Sequence, residues 1–120
     1  MVDTILAFGL RSRVRVLSVT TVPLPEVWQG LGGLRRDEPV TRIVRLRTWG
    51  AQRLSFSTAC VPRRLGLTIS RADLADRPLL IVLSDQGVEI GSVEERLSPG
   101  AADALEARML RLAPGAPLLR

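Results

Sequence analysis

Residues 41–62 read TRIVRLRTWGAQRLSFSTACVP, and the alternation of polar and apolar residues along them decides the fold. Successive strand side chains point to opposite faces, so Ile43, Arg45 and Arg47 share one face and Val44 and Leu46 take the other. Two β-rich runs flank WGAQR, where Gly50 supplies a turn, so the stretch is expected to be a β-hairpin. A three-residue loop at 50–52 puts Arg47 opposite Ser55 and Arg45 opposite Ser57. Leu46, Phe56 and Thr58 then lie on the reverse face, and Pro62 ends the second strand. The unusual feature is two arginines on one side of a strand otherwise rich in apolar residues.

The rest of the chain sets the frame for that hairpin. At 120 residues it is expected to be one domain with a single core. A hydrophobic content of 46% with 24% charged residues excludes both a disordered chain and a membrane-embedded one. Basic residues outnumber acidic ones 17 to 12, giving +5, and every basic residue is arginine. The absence of Lys, His, Tyr and Asn reflects a GC-rich coding bias, so arginine abundance alone carries little. The arginines are spread along the chain, which argues against a dedicated nucleic-acid stripe while permitting an anionic partner. Cys60 is the only cysteine, so the chain can form no internal disulfide and no thiolate metal cluster; it is expected to be a small buried hydrophobe. No metal and no cofactor is expected. The opening MVDTILAFGL is too short for a membrane span and lacks a basic n-region, so a cytoplasmic protein without membrane contact is expected.

Outward from the hairpin, residues 11–22 alternate Arg11, Arg13 and Arg15 against Val14 and Val16, the pattern of a strand. PLPEVWQGLGGL predicts one short helix with Val27, Trp28 and Leu31 facing inward, stopped by its glycines. Ser70 and Asp73 have capping-box spacing at a helix start. Pro78 to Leu83 reads as helical, closed by Gly87 in a left-handed cap. VEIGSVEERL, residues 88–97, reads as a strand. Ser98-Pro99 reads as an N-cap and first helical position, with Ala101, Leu105, Met109 and Leu112 as one apolar stripe. APLLR begins a last strand. The order β-α-β-β-α-α-β-α-β predicts an α+β fold with a mainly antiparallel sheet and flanking helices.

Taken in order, these features resemble the UTRA domain, the effector-binding half of HutC-subgroup regulators in the GntR class, which shares its fold with chorismate lyase. LGGLRRDEPVTRIVRLRTWGAQRLSFSTACVP is similar to the family's R-x-R strand and the strand after it. LADRPLLIVLSDQGVEIGSVEERLSP is similar to its helix and acidic strand, and AADALEARMLRLAPGAPLLR to its closing helix and G-x-P-L-L turn. The resemblance implies a domain that binds a small, often anionic metabolite and alters a homodimer whose winged-helix domains hold DNA. It implies that Arg45 and Arg47 bind the ligand's phosphate or carboxylate, with Ser55 and Ser57 beside them. A guanidinium suits that task because it stays charged and offers paired donors. Many family members carry an acidic residue where this chain has Ser57, and Ser-Leu-Tyr where it has Pro78-Leu79-Leu80. Against the family pattern, residues 1–120 are expected to lack the winged-helix domain and the final strands, so that DNA contact would run only through a domain this chain does not contain.

Three other readings compete. Arg45 and Arg47 could simply pair with Glu89, Glu94 or Glu95 of a neighbouring strand, or lie over the sheet edge. The chain could be a dimerisation module that binds nothing small. An enzyme of the chorismate lyase type shares the fold, but the chain has no His or Tyr and shows no nucleophile–base pair or phosphate loop, so no catalytic residue is assigned.

Overall fold

Three eleven-residue strands, β1 (Arg13–Pro23), β2 (Pro39–Trp49) and β3 (Gln52–Pro62), form an antiparallel sheet in the order β1-β2-β3. The computed structural model describes residues 12–120; the readings made on residues 1–11 lie outside them. After β3 come helices α1 (Arg71–Asp76) and α2 (Leu79–Asp85). A short strand β4 (Pro99–Ala101), helix α3 (Ala104–Leu110) and strand β5 (Pro117–Leu119) complete the chain, with β4 and β5 paired antiparallel. The fold is α+β with antiparallel pairing and flanking helices, as the sequence pattern predicts.

The sheet places β2 in the middle, and its alternation buries both faces. Ile43 packs with Val61 of β3 and Leu74 of α1, and Val16, Val19, Leu79 and Leu83 close around them. On the opposite face Val40, Val44 and Leu46 are buried. Ser70 caps α1, its Oγ accepting from the Asp73 backbone N–H at 3.1 Å. Proline at 78 disfavours the α conformation at Arg77, whose φ of −134° and ψ of 143° break the run into two helices. Gly87 has a φ of 90°, as expected for the residue that ends α2.

The hairpin register matches expectation through a different route. Arg47 faces Ser55 and Arg45 faces Ser57, but Trp49 pairs with Gln52 across a two-residue Gly50-Ala51 turn. Gly50 has a φ of 56° and Ala51 does not share the positive sign, the pattern of a type II′ turn. Leu54 is then an extra residue between the Thr48–Arg53 and Arg47–Ser55 pairs, a bulge that restores the register.

Other expectations need correction. The helix after Pro25 is one 3-10 turn, Glu26–Trp28, and Val27 and Leu31 are exposed; Leu24 is the buried residue there. Residues 88–97 form no strand, because the backbone of Glu89–Leu97 finds no ladder partner among the described residues. The last helix starts at Ala104 rather than Pro99, which lies in β4. Its cap is Asp103, in a reciprocal capping box with Glu106. Leu105 and Leu112 are exposed, and Ala102 and Ala107 carry the buried side instead.

Candidate functional site

Arg45 and Arg47 project from the middle strand on the face that holds Ile43. Across the ladder, Arg45 lies between Val16 and Ser57, and Arg47 lies between Val14 and Ser55. Residues opposite one another share a face, so two guanidinium groups and two hydroxyl groups stand together on one side of the sheet. Ser55 and Ser57 are exposed, whereas both arginines are half-buried.

The two guanidinium groups differ in their surroundings. Arg47 Nη1 donates to Ser12 Oγ at 2.6 Å, a partner the sequence pattern does not single out. Arg45 Nη1 is buried and has no hydrogen-bond partner among the described residues. Burial, and then the positive charge of Arg47, push the Arg45 pKa down from its ordinary value. Each effect opposes charge at this spot, yet arginine remains protonated at any physiological pH. A buried donor left unpaired costs about 1–3 kcal/mol, more when charged. An anion placed between the guanidinium groups would offset both the unpaired donor and the like-charge repulsion.

The simple ion-pair alternative does not form. Glu94 pairs with Arg96, and neither Arg45 nor Arg47 takes part in a salt bridge among the described residues. Ser55 also lines a cavity of about 870 Å³ between β3 and the α3–β5 unit. Arg45, Arg47 and Ser57 do not line that cavity, nor the one of about 400 Å³ beside Thr21, Thr41 and Arg63. Cys60 is half-buried, and burial raises its thiol pKa, as befits a packing residue rather than a nucleophile. Among the described residues, no three His, Cys, Asp or Glu side chains gather as metal ligands, and no helix is long and apolar enough to cross a membrane.

Comparison with known proteins places the fold. Residues 7–120 match the family profile of the UTRA domain. A Streptomyces coelicolor protein assigned to transcriptional regulation shares 28% identity at a TM-score of 0.84, over 91% of this chain and 72% of its own. The ligand-binding domain assigned to a GntR-family transcriptional regulator of Bordetella bronchiseptica shares 27% identity at 0.76, over 92% and 70%. The effector domain of PhnF from Mycobacterium smegmatis, 20% identical, has the same fold, with a TM-score of 0.78 over 98% of this chain and 72% of that one. Against Bacillus subtilis YydK the chain spans only 48% of the other protein's length. Curated protein sequences give no match. The profile covers nearly the whole sequence: the chain belongs to the UTRA domain family, with the α+β fold of effector domains from GntR-type regulators.

Proposed function

We propose that this chain senses a small anionic metabolite, a phosphate or carboxylate, bound by Arg45 and Arg47 with Ser55 and Ser57 beside it. The observation that carries the reading is the buried Nη1 of Arg45, without a hydrogen-bond partner among the described residues, next to a second guanidinium. Like charges with an unsatisfied donor are costly in a free protein and become favourable contacts when an anion arrives. The neighbours' assignments to transcriptional regulation support the wider role: a cytoplasmic homodimer whose operator binding, through a separate winged-helix domain, responds to the metabolite. Residues 1–120 are the effector-binding unit in that scheme.

Thermal-shift and calorimetric titration with phosphosugars and small carboxylates tests the site. One ligand class should raise the melting temperature without being consumed. Loss of a charge-assisted hydrogen bond costs about 1.5–3 kcal/mol, so Arg45→Ala should weaken binding roughly ten- to a hundredfold. Equal affinity in wild type, Arg45→Ala and Arg47→Ala would refute the assignment.

A further inference from the structure

A third arginine reaches the sheet beside the pair. Leu17 has no partner in the β1–β2 register, a bulge that opens the ladder between the Val16–Arg45 and Ser18–Val44 pairs. The carbonyl of Val16, at the edge of that bulge, accepts from Arg71 Nη1 at 3.1 Å. Arg71 is the first residue of α1, which lies on the Ile43 face of the sheet, where Leu74 packs against Ile43. It therefore approaches β1 from the side on which Arg45 and Arg47 project. Paired strand residues stand about 4.5–5.5 Å apart at Cα, so this guanidinium is anchored one strand spacing from the Arg45 backbone.

No acidic side chain answers these three charges. A carbonyl and a hydroxyl are neutral, so the bonds of Arg71 to Val16 and of Arg47 to Ser12 leave both cations uncompensated. Asp73, the acidic residue in the first turn of α1, accepts from Ser70 Oγ at 2.8 Å. None of the three arginines forms a salt bridge among the described residues. Arg45 and Arg47 are half-buried and Arg71 is exposed, so the group runs from a partly desolvated pair to a cation at its rim.

We infer that Arg71 is a specificity-determining residue of the anion site, a rim cation that selects doubly over singly charged ligands. The inference rests on the anion-binding reading above and adds the ligand's charge to it. The attraction of Arg71 for a ligand scales with that charge, so a dianion gains twice what a monoanion of the same shape gains. The bond to Val16 uses one N–H of the guanidinium and leaves the others to meet the ligand.

Sulfate and methyl sulfate form the test pair: both are tetrahedral, and near neutral pH one carries two charges and the other a single charge. Calorimetric titration gives both affinities for the wild type and for variants at Arg71, an exposed helical position that Gln and Lys also suit. Arg71→Gln should weaken sulfate binding about tenfold and methyl sulfate binding about threefold, so the preference for sulfate falls about threefold. Arg71→Lys keeps the charge and should keep the preference. Added salt screens an exposed charge, so wild type and Arg71→Gln should converge as ionic strength rises. Unchanged affinities in Arg71→Gln, or equal fold-losses for the two anions, would overturn the inference and leave the anion-binding reading intact. A loss in Arg71→Lys as large as in Arg71→Gln would assign the effect to the Val16 bond and also overturn it. Binding of neither anion by the wild type, or unchanged binding in Arg45→Gln, would overturn both.

Discussion

Arg64 Nε lies 3.1 Å from Glu38 Oε2 and ties the turn after β3 to the loop that enters β2. Glu38 is nearly buried and also accepts from the Arg35 backbone N–H at 2.8 Å. That backbone donor, with Arg64 beyond it, holds the carboxyl below its ordinary pKa even though burial acts the other way. The folded state therefore binds a proton more weakly than the unfolded chain. Its contribution to stability is complete above the unfolded carboxylate pKa and is lost as pH falls through the folded value. Melting curves from pH 7 to pH 3 should show Glu38→Gln less stable than wild type at neutral pH, with the gap narrowing in acid. A gap independent of pH would rule out the carboxylate as its source.

Arg45 should trade stability for binding. Replacing it with methionine removes an unpaired buried donor and a like-charge contact while keeping much of the side chain's bulk. In the absence of ligand, Arg45→Met should gain about 1 kcal/mol in urea unfolding. The same variant should lose the stabilisation that an anionic ligand gives the wild type. A substitution that weakens both properties would place Arg45 in the framework rather than the site.

The cap of α3 offers a smaller effect. Asp103 accepts from the Glu106 N–H at 2.7 Å, and Glu106 returns a 3.0 Å contact to the Asp103 N–H. Asp103→Ala should lower stability by about 1 kcal/mol. Urea midpoints for Asp103→Ala and Asp103→Ser distinguish a cap from a surface charge, since serine keeps the cap acceptor.

Ile43 and Val27 make a sharp contrast. Ile43 is fully buried between β3 and α1, so Ile43→Ala should cost about 2–5 kcal/mol. Val27 is exposed, and Val27→Ala should change stability by no more than about 0.5 kcal/mol. Denaturant unfolding of the pair checks the placement of the core directly.

Legibility in the sequence follows how local each cause is. The hairpin was readable because alternation and Gly50 act within a few residues, and its register placed Arg45 opposite Ser57 and Arg47 opposite Ser55. The unpartnered Arg45 donor was not readable, because burial of one nitrogen depends on packing from distant elements. Val88–Leu97 carries the alternation of a strand, but strand identity also needs a neighbour to pair with. The start of α3 lies later than the sequence pattern predicts, although its signal is local. Ser98-Pro99 has a cap-like spelling, and the stronger Asp103-x-x-Glu106 box five residues later decides the boundary.

The bulge at Leu54 makes the hairpin tip tolerant of a change in length. Without Leu54, Trp49–Gln52 and Thr48–Arg53 would run directly into Arg47–Ser55 as an uninterrupted ladder. Every pair beyond that point, Arg45 with Ser57 included, would keep its partner and its face. A one-residue deletion elsewhere in β3 reverses the side-chain order of the strand beyond it. At this position the strand can shorten by one residue while the arginine pair stays where it is, so the deletion should be accepted at Leu54 and rejected two pairs further along.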